Sequence, residues 1–388
     1  MLGIAVGLIS IVLALPVVAL ALGAFLDPTG SAFAMIGAML WTTYGPHLLI
    51  VALFALLLAT IARRRGARRT GGLALGAAGI SVLLAGFILV RIVVAVLAAG
   101  GTINPIAALA LGPMTEPPPD LLETVTSVEG KDLKAAIYRP KEGSAPAPVL
   151  VYIHGGGFMA GTNTETAADL RWFADRGWLV VSVDYRVFGP NEPTWDKAPP
   201  DATCGLVWAG ANAARLGGDP SRIALLGDSA GGNLAINIGF AAADGRAVSG
   251  CGGEVPVPRA IAVQYPAVDP VATYERGFPI PGFEPSMLME GYVGGTPQDY
   301  PDRIAAIASA NFITQRAPPT LIIEPENDSL VVSDGVYGFA DKALAAGVNL
   351  ELVRIPFANH IYNQIAFNSL GNQAGRTIRL RFLDQHMR

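Results

Sequence analysis

Arg222-Ile-Ala-Leu-Leu-Gly-Asp-Ser-Ala-Gly-Gly-Asn-Leu-Ala235 is the stretch on which the reading of this chain turns. Its first five residues form a short apolar run bounded by glycine, which predicts a buried strand. From Ala230 onward the spacing of apolar residues predicts a helix to about Ala243. Between them, Gly227-Asp-Ser229-Ala-Gly231 fits Gly-x-Ser-x-Gly. Small residues permit a sharp turn that lifts Ser229 above the sheet edge, and the helix N-terminus behind it favours developing negative charge. Strand, turn and helix in this order are the context that a nucleophile elbow needs.

Working outward, similar apolar runs occur at 148–153, 178–183, 259–263, 320–323 and 350–355. Continuous runs of this kind suit parallel strands buried on both faces. Helical patterns lie between them at 166–176, 201–216, 333–346 and roughly 373–387, with Gly177, Gly217 and Gly347 as stop signals. The alternation predicts an α/β sheet covered by helices on both faces.

The run 148–153 ends in His154-Gly155-Gly156-Gly157. Glycines there let backbone N–H groups approach a substrate oxygen without Cβ interference, the HGGG form of an oxyanion hole. No P-loop Lys-Ser/Thr follows, which argues against a phosphate cradle. Of the four histidines, His47 sits in an apolar span, His154 belongs to the glycine loop and His386 is almost terminal. His360, in a loop after a late strand, is left as the base. The acid is expected after an earlier strand, in the order Ser…Asp…His. Glu324-Pro-Glu-Asn-Asp328 supplies it, with Asp328 the choice, Glu326 a weaker alternative and Asp334 read as a helix-start residue.

The N-terminal quarter is different in kind. Of 388 residues, 52% are hydrophobic and only 15% charged, an excess concentrated before residue 105. That part holds one acid, Asp27, and six arginines, whereas the remainder carries 21 basic and 30 acidic side chains. Three apolar runs, Gly3 to Leu26, within Ala32 to Ala62, and about Gly72 to Ala99, each exceed the ~20 residues needed to cross a bilayer. The first lacks the basic n-region of a cleaved signal peptide and outruns its h-region. Arg63-Arg64-Arg65-Gly-Ala-Arg68-Arg69 is the basic loop, so it is expected on the cytoplasmic side. The N-terminus is then cytoplasmic and everything after the third span extracytoplasmic, in a multi-pass protein of the cell membrane. His47 and Arg91 fall near the outer surface, where snorkelling is the simpler reading. Gly3/Gly7 and Gly72/Gly76 permit close helix contact within one chain or between chains, leaving a homo-oligomer through the spans open.

The expected organisation is a membrane part over 1–105, a Pro-rich linker over 106–120, and an α/β catalytic unit over 121–388. Because every candidate site residue lies after 150, the spans are expected to anchor the enzyme without sharing in the chemistry. A chain beginning near Glu116 is then expected to stay soluble and active. A net charge of -4 gives no electrostatic case for nucleic acid. Two cysteines exclude a disulfide framework or a multi-cysteine zinc module. Cys204 and Cys251 either pair outside the cytoplasm or stay as separate thiols.

His154–Phe158, Asp184-Tyr185-Arg186, Gly227–Gly232, Asn327-Asp328 and His360 together resemble the hormone-sensitive-lipase-like branch of the α/β-hydrolase carboxylesterases, over roughly residues 120–388. The resemblance implies an eight-stranded, mostly parallel sheet with a cap, and ester hydrolysis without metal or cofactor. It implies Ser229 as nucleophile, His360 as base, Asp328 as its orienter, and Gly155, Gly156 and the N–H of Ala230 as oxyanion donors. Because the apolar spans and the short linker hold the catalytic unit close to a lipid bilayer, the expected substrate is a small-molecule or lipid ester met there. The chain departs from the pattern after Arg186, where Val187-Phe-Gly-Pro-Asn-Glu192 replaces the family's common Leu-Ala-Pro-Glu beside the acyl site. The family's usual N-terminal cap helices also have no evident counterpart, and Thr273–Thr296 is expected to supply a lid or wall instead. Amide hydrolysis or acyl transfer would use the same triad, and a silent adhesion or sensor protein is the rival from another class.

Overall fold

A computed structural model describes residues 1–141, 146–278, 280 and 284–387. Its centre is an eight-stranded sheet: β1 (Leu121–Val128), β2 (Lys131–Tyr138), β3 (Ala147–Ile153), β4 (Leu179–Val183), β5 (Gly218–Asp228), β6 (Ala260–Gln264), β7 (Thr320–Pro325) and β8 (Leu350–Ile355), in the spatial order β1-β2-β4-β3-β5-β6-β7-β8. β1 and β2 pair antiparallel, as do β2 and β4, and every other pairing is parallel. The six apolar runs of the sequence are the six parallel strands. They read as continuous apolar runs because both faces are covered. Val149, Val151 and Ile153 face a layer that includes α6 (Ala198–Leu216), α7 (Ala230–Ala243) and α11 (Ser333–Ala345). Leu150 and Tyr152 face the layer of α5 (Ala167–Ala174) and α12 (Leu370–Met387). Burial of each such Val or Leu contributes ~1.5–3 kcal/mol.

β1 and β2, not among the runs singled out above, form an edge hairpin. Leu121–Val128 alternates between exposed and half-buried positions, so it shows no continuous apolar run. Its turn, Glu129-Gly130, has φ of 51° and 77°. Two successive positive φ values match the primed turns that fit strand twist.

The three apolar runs are long helices: α1 (Leu2–Ala24), α2 (Ala32–Arg64) and α3 (Arg68–Ala98), each long and apolar enough to cross a membrane. They pack through small residues, among them Ala14, Ala55, Ala59, Ala74 and Ala78. A Cβ on Gly37 would meet the Gly23 carbonyl carbon at 2.5 Å, so α1 and α2 approach closely there. Contact through small residues is how helices associate in lipid, where burying apolar surface gains nothing. Gly3 and Gly7 are used inside the chain, against Arg65, Ala67 and Thr70, whereas a Cβ at Gly76 would meet open space.

Part of the linker is a short helix, α4 (Pro105–Ala110), capped by the Asn104 side chain with Pro105 in its first turn. Those start signals stand in the sequence. The Leu109 carbonyl at its end meets His47 Nε2 at 2.9 Å. Beyond it, residues 111–119 form no helix or strand.

Candidate active site

Ser229 sits where β5 passes into α7, with φ 56° and ψ -118°. A non-glycine residue held at positive φ stores ~1–3 kcal/mol of strain. The surrounding glycines make the turn fit. A Cβ on Gly231 would come within 2.1 Å of the Ile153 carbonyl oxygen, and one on Gly227 within 2.3 Å of the Gly231 carbonyl oxygen. Any side chain at Gly231 would therefore push the serine turn away from the glycine loop that follows β3.

His360 comes from the loop after β8 and Asp328 from the loop after β7. His360 Nδ1 lies 2.7 Å from Asp328 Oδ2, and His360 Nε2 lies 3.0 Å from Ser229 Oγ. An ionised carboxylate only accepts, so Nδ1 carries the proton and Nε2 is free to accept from the serine hydroxyl. The other carboxylate oxygen of Asp328 accepts from the N–H groups of Leu330 and Val331, both at 2.8 Å. Asp328 is thereby fixed on both sides. The alternatives lie elsewhere: Asp334 is in the first turn of α11, and Glu326 lines a separate polar cleft with Asp27 and Arg276.

The glycine loop is braced from beneath. The Tyr185 hydroxyl donates to the carbonyls of His154 and Gly155 at 3.0 and 3.1 Å, and its ring stacks on His154 with centroids 4.2 Å apart. Burial holds the His154 imidazole below its usual pKa, so it is neutral, and Nδ1 meets the Gly155 carbonyl at 2.9 Å. His154 is thus a structural residue of the loop. Gly156 and Gly157 have φ of 97° and 61°, the left-handed region glycine tolerates. Gly155 and Gly156 line the cavity in front of Ser229, and Ala230 opens α7 directly behind it. Asp228 is buried in its own cage, accepting from Tyr152, Gln264 and Arg379 at 3.2, 3.2 and 3.0 Å.

The cavity measures about 470 Å³, within the ordinary range of small-molecule sites. Ser229 and His360 open into it, and Met159, Phe278, Ile280, Leu288, Leu330 and Ile361 supply apolar lining. Phe278, Ile280 and Leu288 belong to the segment Thr273–Thr296, so that segment does form a wall; its residues 279 and 281–283 lie outside those described. Where the chain departs from the family pattern, the Phe188 N–H donates to the Phe158 carbonyl, and the Phe188 ring packs at Gly291 in α9 (Pro285–Val293), which lies in the chain between α8 (Pro270–Glu275) and α10 (Pro301–Ile307).

The expectation that the spans only anchor the enzyme does not hold in its simple form. Met35 and Met39, in the first two turns of α2, also line the cavity. Asn359 accepts from the N–H groups of His360 and Ser329 at 2.6 and 2.9 Å, while its amide faces the Met35 carbonyl at 3.5 Å. Asn327 donates to the Ala24 carbonyl at the end of α1. Nothing in an apolar run marks two methionines as pocket residues; helical spacing alone puts Met35 and Met39 on one face. Tyr185 stands within the Asp184-Tyr185-Arg186 motif, although its bracing of the glycine loop is visible only in three dimensions, and Asn359 gave no signal beyond adjacency to His360.

A mostly parallel sheet with a serine on a strained strand-to-helix turn, faced by a glycine loop and by histidine and aspartate from later loops, defines the class: this is an α/β-hydrolase. Comparison narrows it further. The BD-FAE family model matches residues 135–342, more than half of the chain, and the chain belongs to that family. Carboxylesterase NlhH of Mycobacterium tuberculosis is 32% identical over 262 residues, covering 64% of this chain and 79% of that protein. Hormone-sensitive lipase of Bos taurus is 32% identical over 193 residues, 47% of this chain and 24% of that one. Among solved structures, a bacterial heroin esterase superposes with TM-score 0.57 at 25% identity, covering 69% of this chain and 84% of that one. Esterase 2 of Thermogutta terrifontis shares the fold, with TM-score 0.58 at 24% identity, over 70% of this chain and 96% of that one. The protein is a carboxylic ester hydrolase of the hormone-sensitive-lipase-like kind.

Proposed function

We propose that Ser229, His360 and Asp328 form the catalytic triad of a membrane-anchored serine esterase. The observation that carries this is His360 bridging the other two, at 2.7 Å to the carboxylate and 3.0 Å to the hydroxyl. His360 Nε2 takes the Ser229 proton as Oγ attacks an ester carbonyl. Asp328 holds the tautomer and stabilises the imidazolium. The N–H groups of Gly155, Gly156 and Ala230 receive the oxyanion, each such donor lowering the barrier by ~3 kcal/mol. His360 then protonates the leaving alcohol, and water, deprotonated by the same nitrogen, hydrolyses the acyl-enzyme. The apolar cavity favours short to medium acyl or lipophilic esters. Residues 1–105 are read as the membrane part, 106–120 as the connection and 121–388 as the catalytic unit.

The catalytic unit is read as extracytoplasmic. The arginine loop between α2 and α3 supports this, and so does the bond between Cys204 and Cys251, since disulfides persist in oxidising compartments. The test of the triad is a pair of carboxylate variants: Asp328→Asn should lower kcat on p-nitrophenyl acetate by ~10⁴, as loss of the orienting carboxylate does elsewhere, and Asp334→Asn should leave it within about twofold. The reverse order would assign the acid to the wrong loop.

A further inference from the structure

Met35 and Met39 place a membrane helix inside the cavity that Ser229 and His360 open into. α2 runs 33 residues, longer than a bilayer core requires. Measured back from Arg63 at ~1.5 Å per residue, Met39 lies at most ~36 Å up the helix and Met35 ~42 Å. A hydrocarbon core is ~30 Å thick, and headgroups bring the total to ~40–45 Å. With the arginines at the inner boundary, the cavity wall formed by α2 stands at the outer headgroup layer. Ester carbonyls of membrane lipids lie at that depth, where headgroup meets acyl chain.

The rim has the matching chemistry. Met159, Ile280 and Ile361, which line the cavity, are 43%, 43% and 38% exposed. Exposed apolar side chains gathered at a cavity mouth mark a surface that meets lipid or ligand. Glu165 and Asp228 line the cavity, and no Lys or Arg is among its described lining residues. Burial and the nearby Asp228 charge hold the Glu165 carboxyl above its usual pKa. Such a lining offers nothing to pair with a phosphate and favours an uncharged headgroup.

We propose that α2 is a wall of the substrate pocket and that uncharged ester lipids of the acylglycerol class enter laterally from the outer leaflet, over the rim of Met159, Ile280 and Ile361. This rests on the triad proposed above. The ester carbonyl meets Ser229 Oγ, one acyl chain passes along Met35 and Met39, and fatty acid and alcohol leave by the same mouth.

Two measurements on the full chain in phosphatidylcholine vesicles test it. In the first, dioleoylglycerol is placed either in the vesicles that carry the enzyme or in separate enzyme-free vesicles. Oleate release should be at least tenfold faster in the first arrangement. Equal rates, or no release from either, would overturn lateral entry. In the second, a p-nitrophenyl ester series from acetate to octanoate is compared for wild type, Met39→Trp, Met39→Phe and the lipid-facing control Leu57→Trp. Filling the pocket at Met39 should lower the octanoate-to-acetate ratio of kcat/KM at least tenfold, while Leu57→Trp keeps the wild-type ratio. An unchanged ratio in Met39 variants that still take a fluorophosphonate label would remove α2 from the pocket. Where those variants take no label, the vesicle comparison alone decides. Hydrolysis surviving in Ser229→Ala would instead defeat the triad, a separate failure.

Discussion

Phe25, at the end of α1, packs edge-on against Phe357, three residues before His360, with ring centroids 5.1 Å apart and planes at 76°. Phe87 of α3 completes the group, 6.2 Å from each ring. Edge-to-face pairs of this kind contribute ~0.5–1.5 kcal/mol beyond their buried area. Phe357 itself has φ 55°, a conformation a bulky residue keeps only when its surroundings fix it. α1 and α3 therefore help hold the loop that carries His360.

Phe357→Ala should accordingly do more than open a small gap. Removing a buried phenylalanine costs ~3–5 kcal/mol, and here the loss falls on the His360 loop. The expected outcome is a lower Tm together with a fall in kcat on p-nitrophenyl acetate of tenfold or more, measured well below that Tm. A chain starting near Glu116, which lacks Phe25, Phe87 and Met35, should show the same loss of activity. Full kcat in either would mean that the sheet alone positions His360.

Glu324, at the end of β7, predicts a pH dependence of stability. Its carboxyl is fully buried. Burial first, and the Asp328 charge second, push its pKa well above 4.5. Below that value both folded and unfolded chains hold the proton. As pH rises past it, the unfolded chain ionises while the folded one cannot, so stability falls with pH up to the raised folded value. Glu324→Gln removes the penalty. Thermal scans should show variant and wild type nearly equal at pH 4 and the variant more stable at pH 8; parallel curves would contradict the buried neutral acid.

Orientation has a clean test because the described cysteines are bonded to each other. A membrane-impermeant thiol reagent should label a Cys introduced at Glu123 in intact cells, and label Gly66→Cys only after lysis. Labelling in the opposite sense would put the hydrolase in the cytoplasm. The same disulfide closes a separation of 47 residues, which in the chain-entropy model is worth ~4 kcal/mol. Replacing both cysteines by alanine should therefore lower Tm in the oxidised protein and leave the reduced protein unaffected.

Much of this was legible in the sequence because the chemistry constrains it locally. Gly231 cannot carry a Cβ without striking the Ile153 carbonyl, so the serine turn and the glycine loop both show as small-residue motifs. The parallel strands, covered on both faces, show as unbroken apolar runs. The β1–β2 hairpin did not, because one side of β1 is exposed and its turn is carried by only two residues. Nor did the role of α2, for a different reason. Lipid and an apolar pocket ask for the same side chains, so Met35 and Met39 read as ordinary span residues until the tertiary structure places them on the cavity that Ser229 lines. Cys204 and Cys251 pair only because α6 and a distant glycine-rich loop meet in space.

The most direct measurement is on Ser229 itself. The full-length protein in vesicles is treated with a fluorophosphonate probe, digested and analysed by mass spectrometry, alongside hydrolysis of p-nitrophenyl acetate. The adduct should fall on Ser229, activity should vanish in step with labelling, and Ser229→Ala should neither label nor turn over. A probe that labels another residue, or a Ser229→Ala protein that keeps near-wild-type turnover, would contradict the assignment of this serine as the nucleophile.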